Sequence, residues 1–213
     1  MSWLKEKLPL VFDRLYHTPQ LLIPIFPLNT VLYPDGLLPL KLFETRYLDM
    51  VRTCMKDNSP FGICLIQSGE EVGTPAQPHA VGTLARIADW DMPQLGILNI
   101  TAQGGQRFLI EASEVAKDGL IMAEVRLLPA EPTQLVDNEF HICSTVFDTI
   151  YQELGAARFS NPPHPEQAAW LGYRLAESLP IKSRAKQDLL EMNDSAMRLR
   201  ILQEFLKRQG VQG

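Results

Sequence analysis

The stretch IPIFPLNTVLYPDGLLPLKLFETRYLDMV, residues 23–51, decides the architecture. Two short apolar runs, LLIPIF (21–26) and LLPLKLF (37–43), flank a connection holding Pro, Asn and Gly. Runs of that length between such breakers read as strands joined by a turn. The period then changes. In FETRYLDMVRTCMKDN (43–58), Phe43, Tyr47, Met50, Val51, Cys54 and Met55 recur at three- and four-residue steps, giving a helix with one apolar stripe. Asp49, Arg52 and Lys56 fall on its other side.

Downstream the strand pattern resumes in FGICLI (61–66), VGTLARIADW (81–90), LGILNITAQ (95–103), QRFLIEASEV (106–115) and LIMAEVRLL (120–128). In the last run Ile121, Ala123, Val125 and Leu127 alternate with Met122, Glu124 and Arg126, as in a half-buried strand. Gly104-Gly105 and Asp118-Gly119 read as hairpin turns between runs. Strands this close, with little helix between them, point to a barrel or sandwich. After Pro129-Ala130-Glu131-Pro132 the pattern becomes helical, with Phe140, Val146, Phe147, Ile150, Tyr151 and Leu154 at helical spacing. SNPPHP (160–165) interrupts it, because proline cannot continue a helix interior. Asp194 is the expected N-cap of the last helix. The fold class is therefore α+β: a β pseudo-barrel with one inserted helix over 21–130, then an α-helical bundle over 131–213. Residues 1–20 precede both, and Trp3, Leu4, Leu8, Val11, Phe12 and Leu15 give them an amphipathic helical pattern.

The net charge is −5. Proteins that neutralise many phosphates carry a basic excess, so nucleic acid is disfavoured. Residues 182–208 hold seven basic side chains against four acidic ones, which suits a solvated helix face. Cys54, Cys64 and Cys143 are far apart in apolar contexts, so buried thiols in a reducing, cytoplasmic setting are expected. No apolar run is long enough to span a membrane, and Lys5, Glu6 and Lys7 break the stretch a signal peptide needs.

Chemistry is scarce. The sequence lacks G-x-x-x-x-G-K-[ST], G-x-S-x-G and H-E-x-x-H. His17, His79, His141 and His164 are isolated, so no metal and no cofactor are expected. Cys64 and Cys143 suit core packing better than nucleophilic catalysis, and Glu70-Glu71 suits a solvated loop. Asp89 and Asp91 beside Trp90 fit either a polar rim around an exposed aromatic or a structural Trp at a strand end.

Four ordered motifs carry a resemblance. They are Pro24, Phe26, Pro27, Leu28, Tyr33, Pro34 and Gly36, running into Phe43, Glu44, Arg46 and Tyr47; Val81, Gly82, Thr83, Ala85 and Ile87; Gly104, Arg107 and Phe108; and LAESLPIKSRAKQDLLEMNDSAMRLRILQEFL (175–206). Together these resemble the substrate-binding N-terminal domain of Lon-type ATP-dependent proteases over roughly residues 21–208. The resemblance implies a six-stranded PUA-like pseudo-barrel followed by helices. It also implies a non-catalytic module without the ATPase and Ser-Lys protease parts that follow this domain in full Lon proteases.

The motif residues have physical work of their own. Glu44 complements a helix dipole and Arg46 reaches toward the barrel. Pro24, Pro27 and Pro34 restrict edges and turns, and Gly36 and Gly104 are expected to supply positive φ. Gly82, Phe43, Tyr47 and Phe108 are read as structural, and Arg107 as standing where a strand leaves a turn.

Three functions follow. The first is binding of unfolded or partly unfolded polypeptide in an apolar groove between barrel and helices, contacted by Met50, Met55, Trp90, Met192 and Met197. Thioethers adapt to varied partners, although these methionines also suit ordinary core. A protease or chaperone is a further partner in this reading, and homo-oligomerisation is open. The second is RNA binding by analogy with other PUA-like barrels. The third is a small-ligand sensor or hydrolase using His79, Asp89, Trp90 and Asp91.

Overall fold

The computed structural model describes residues 20–159 and 162–211. The proposed N-terminal extension therefore lies almost wholly outside the described residues. Among the described residues there are seven strands and five α-helices: β1 (Gln20–Leu28), β2 (Leu37–Leu42), α1 (Thr45–Asp57), β3 (Phe61–Ser68), β4 (Gln77–Pro78), β5 (Val81–Gln94), β6 (Ile97–Val115), β7 (Ile121–Leu127), α2 (His141–Leu154), α3 (Ala168–Ser178), α4 (Ser183–Glu191) and α5 (Ser195–Arg208).

The strands run β1-β7-β6-β5-β3, and a parallel β1–β3 pairing closes the ring. β2 adds to the first half of β6, and the two-residue β4 adds to β3. Closure depends on β1 changing partner midway. Gln20 to Ile25 pair with β7, and Ile25 to Leu28 pair with β3. Pro24 and Pro27 each sit where β1 has a neighbour on one side only, which is where a strand tolerates a missing N–H.

Two expectations about glycine are corrected. Gly104-Gly105 is no turn; β6 runs through it for 19 residues. Neither Gly36 nor Gly104 has a positive φ, which falls instead on Asp35 (59°) in the Tyr33–Gly36 turn. The turn lies directly on β6: Asp35 N–H donates to the Gly104 carbonyl (2.9 Å) and Gly104 N–H to the Gly36 carbonyl (2.8 Å). A Cβ on Gly104 would stand 2.1 Å from the Tyr33 carbonyl oxygen, so close approach excludes any side chain there. Phe108 makes a similar demand of Gly82, where a Cβ would meet the ring at 2.6 Å.

α1 covers one side of the barrel with Tyr47, Met50, Val51 and Cys54. Phe43 departs from the predicted stripe: it precedes the helix and is 55% exposed. Glu44 is the N-cap residue but makes no side-chain cap bond; it pairs with Arg46 at 2.8 Å. Arg46 also donates to the Gly119 carbonyl, tying the helix to the β6–β7 turn.

The helices pack in a second core of Phe140, Phe147, Trp170, Leu171, Leu175, Leu190, Leu199 and Leu202, to which Val31, Tyr33 and Leu65 contribute from the β half. Asp194 caps α5 as expected, accepting from Met197 N–H at 2.9 Å. Arg107 stands in mid-strand rather than at a turn, and its side chain donates to the Leu190 and Met192 carbonyls and to Asn193. Glu131 accepts two bonds from Arg198 (2.6 and 3.0 Å) and one from the Tyr173 hydroxyl, with Arg107 3.6 Å away. Strand β6 and helix α5 are thus joined through one buried carboxylate.

Candidate functional site

β5 and β6 are long enough to extend past the ring as a hairpin, turning at Leu95-Gly96 with Gly96 at φ 84°. In this arm Trp90 pairs with Ile100, Asp91 with Asn99 and Asp89 with Thr101. Residues directly opposite on antiparallel strands share a face. Ile100 is buried in the cluster formed with α1, so Trp90 also faces α1, while Asp89 and Asp91 point to the polar back of the arm.

The arm and α1 enclose a groove of about 370 Å³ lined by Leu48, Val51, Met55, Trp90, Met92, Leu95 and Leu98, with Arg52 and Gly96. Its rim is exposed: Trp90 51%, Met92 49% and Leu95 96%. Arg52, the charged member, is engaged by Asp49 at 2.6 Å. An aromatic, pliable thioethers and little charge are the composition of an interface core.

The five residues predicted to contact polypeptide divide among three places. Met55 and Trp90 meet in this groove. Met192 and Met197 line another, of about 580 Å³ between α4 and α5. Met50 is 3% exposed and belongs to the core, because it lies on the face of α1 turned to the barrel. The single groove between barrel and helices expected from the methionines is therefore corrected: these two grooves share no lining residue. A separate cleft of about 450 Å³ does lie at that junction, over Arg107, Glu131, Trp170 and Tyr173, and holds none of the methionines.

Met92 and Leu95 were missed by sequence reasoning. Their signal was available: an apolar residue, Leu95, in a two-residue hairpin turn, where polar residues are usual, shortly after Trp90 and Met92, which alternate with Asp89 and Asp91.

The grouping of His79 with Asp89 and Asp91 is also corrected. His79 is buried before β5, its N–H donating to the Leu65 carbonyl, with Arg184 3.4 Å from its ring. The two aspartates are exposed far along the strand. Among the described residues no cluster of three or more His, Cys, Asp or Glu could hold a metal. All three thiols are buried and free. Burial raises each, Cys143 to about 12 and Cys64 further, which leaves them protonated and unreactive. Among the described residues no helix is long and apolar enough to cross a membrane.

Comparison with known proteins places these features. The ATP-dependent protease La (LON) substrate-binding domain description matches residues 22–208. A crystal structure of a Lon N-terminal domain protein from Xanthomonas campestris is similar at TM-score 0.72 and 34% identity, covering 86% of this chain and 98% of that one. A Lon protease of Anaeromyxobacter dehalogenans (strain 2CP-C) is 26% identical over 197 residues, which cover 87% of this chain. Protein cereblon of Danio rerio is 32% identical over 111 residues, half of this chain. The match spans 23% of that Lon protease, so this chain covers about a quarter of its length, and half of this chain matches 25% of cereblon.

Proposed function

Because the chain belongs to the ATP-dependent protease La (LON) substrate-binding domain family, we propose that it binds unfolded or partly unfolded polypeptide without cutting it, at the groove between the β5–β6 arm and α1. One observation carries this: Trp90, Met92 and Leu95 stand exposed beside Met55 over a floor of Leu48, Val51 and Leu98. A contiguous apolar surface with a central aromatic is what exposed side chains of an unfolded segment bury against. Asp89 and Asp91 behind the arm disfavour a phosphate backbone there. A protease or chaperone as the receiving partner, and a cytoplasmic setting, belong to the same reading.

The test is a fluorescence-anisotropy titration of a labelled, permanently unfolded polypeptide against the protein and its Trp90→Asp variant, with a structured RNA at matched salt. The polypeptide binds, and losing the aromatic anchor weakens it by about 30-fold, corresponding to ~2 kcal/mol. Equal binding by Trp90→Asp would remove the site, and RNA binding that fades steeply with salt would overturn the function.

A further inference from the structure

We infer that the open edge of β5 takes an added strand: an extended polypeptide segment alternating apolar with basic side chains. The inference rests on the Trp90 groove as a polypeptide site and names the form and chemistry of its occupant.

β5 has neighbours on both sides for only part of its length. β6 follows it to Gln94, but β3 pairs with Thr83, Leu84 and Ala85 alone. Arg86 is then drawn to Asn58, donating to its carbonyl at 3.0 Å. From Ile87 onward, among the described residues, no strand lies on that side and no loop bonds to the backbone. Ala88 to Gln94 are all exposed. In an antiparallel strand alternate residues turn both N–H and C=O away from the existing partner. Another extended backbone meets such a row group for group. A helix bonds its own N–H and C=O internally and has none to offer along its length.

The edge is short. Pro93 has no N–H to give, so the usable part ends at Met92. The β5–β6 register shifts between Ile87 and Asp89 and again after Asp91. Pairing therefore centres on Asp89–Asp91, within the roughly 20 Å from Ile87 to Met92.

The two faces of the arm select the side chains, because those of an added strand alternate between them. Side chains on the Trp90 side enter the groove over Val51, Met55 and Leu98, where apolar groups fit. Those on the other side fall beside Asp89 and Asp91. There the rows run Asp91–Asn99–Lys41 and Asp89–Thr101–Pro39 across β5, β6 and β2. Lys41 is two strands from Asp91, ~10 Å by strand spacing, which is about one Debye length at physiological salt. An added strand stands one spacing away, ~5 Å, so its lysine or arginine is the closer countercharge. Glutamate or aspartate at the same place would meet like charge directly across the ladder.

The test is a fluorescence-anisotropy titration of the full chain with a labelled eight-residue peptide of alternating valine and lysine. Two further peptides carry backbone N-methyl groups, one on its valines and the other on its lysines. In a strand the N–H groups of one set all face β5 and those of the other all face away. One methylated peptide therefore binds about tenfold more weakly and the other binds like the parent. Replacing the lysines with glutamate also weakens binding about tenfold, and Asp89→Lys/Asp91→Lys reverses that preference. Equal effects of the two methylations, or binding by none of the peptides, would overturn strand addition. Indifference to the lysine-to-glutamate change would overturn the basic preference. The groove itself is scored separately by Trp90→Asp with the unfolded polypeptide. If that variant loses binding while the methylated peptides behave alike, the groove stands and the added strand does not.

Discussion

Glu131 is the side chain whose loss should most disturb the joint between barrel and helices. Its side chain is 5% exposed, and the Arg198 and Arg107 side chains are 0% and 3% exposed. Glu131→Ala leaves two guanidiniums buried without their shared anion and removes the Tyr173 acceptor. Breaking a buried pair in this way costs about 3–5 kcal/mol, because the orphaned charge keeps its desolvation penalty. In a chain of this length each kcal/mol lowers Tm by about 2–4 °C, so the expected fall is about 6–20 °C. Asp49→Ala is the control. It breaks the exposed Arg52–Asp49 pair (76% and 55% exposed), worth about 0–1 kcal/mol. Thermal unfolding followed by far-UV circular dichroism, at low and high salt, separates the two. The Glu131→Ala loss persists in salt because buried charges are poorly screened, whereas the Asp49→Ala loss fades. Glu131→Gln keeps the shape but not the charge and retains most of the loss. If Glu131→Ala falls no further than Asp49→Ala, the idea that this carboxylate joins the two halves is wrong.

Gly104→Ala drives its Cβ into the Tyr33 carbonyl and costs about 2–4 kcal/mol, from overpacking plus weakened turn bonds; urea unfolding measures it, and a loss below ~1 kcal/mol would contradict the close approach. The three cysteines resist a thiol reagent at pH 8 in the native protein and all react once it is unfolded, and fast labelling of Cys143 in the folded state would contradict its raised pKa. Burial raises the Glu177 carboxyl above its ordinary range despite Arg174, Arg158 and Lys186 nearby. A raised folded-state pKa stabilises below the unfolded value and is lost as pH rises through the folded one. A 13C titration of that carboxyl therefore has its midpoint above an ordinary glutamate's, and Glu177→Gln abolishes the accompanying decline in stability with rising pH.

Much of this fold could be read from local pattern, since the signals there are local. The alternation in β7, the Asp194 cap and the stripe of α1 each depend on residues within a turn or two. The partners of Arg107 and Glu131 were not readable, because they join residues 24 to 86 positions apart through contacts that no spacing encodes. The methionines fail for a related reason. Met50 and Met55 share the apolar stripe of one helix, and the barrel lies against the first but not the second. A stripe gives an apolar face; only the layer packed on it decides how much of that face stays open.

The largest misreading and the hidden groove have one source. Two adjacent glycines between apolar runs look like a hairpin, so 95–103 and 106–115 separate into two strands. Gly104 has a different job. It lets the Tyr33–Gly36 turn press against a continuous β6, and that contact needs an absent side chain rather than a positive φ. Once β6 is continuous, its first half must pair with the far half of β5, and the hairpin arm follows. The arm places Trp90 and Met92 over α1 and leaves Leu95 at its tip. A glycine chosen for contact rather than for torsion thus concealed the element that builds the binding groove. In a strand-rich sequence a Gly-Gly pair should be tested as a close-approach site before it is used to end a strand.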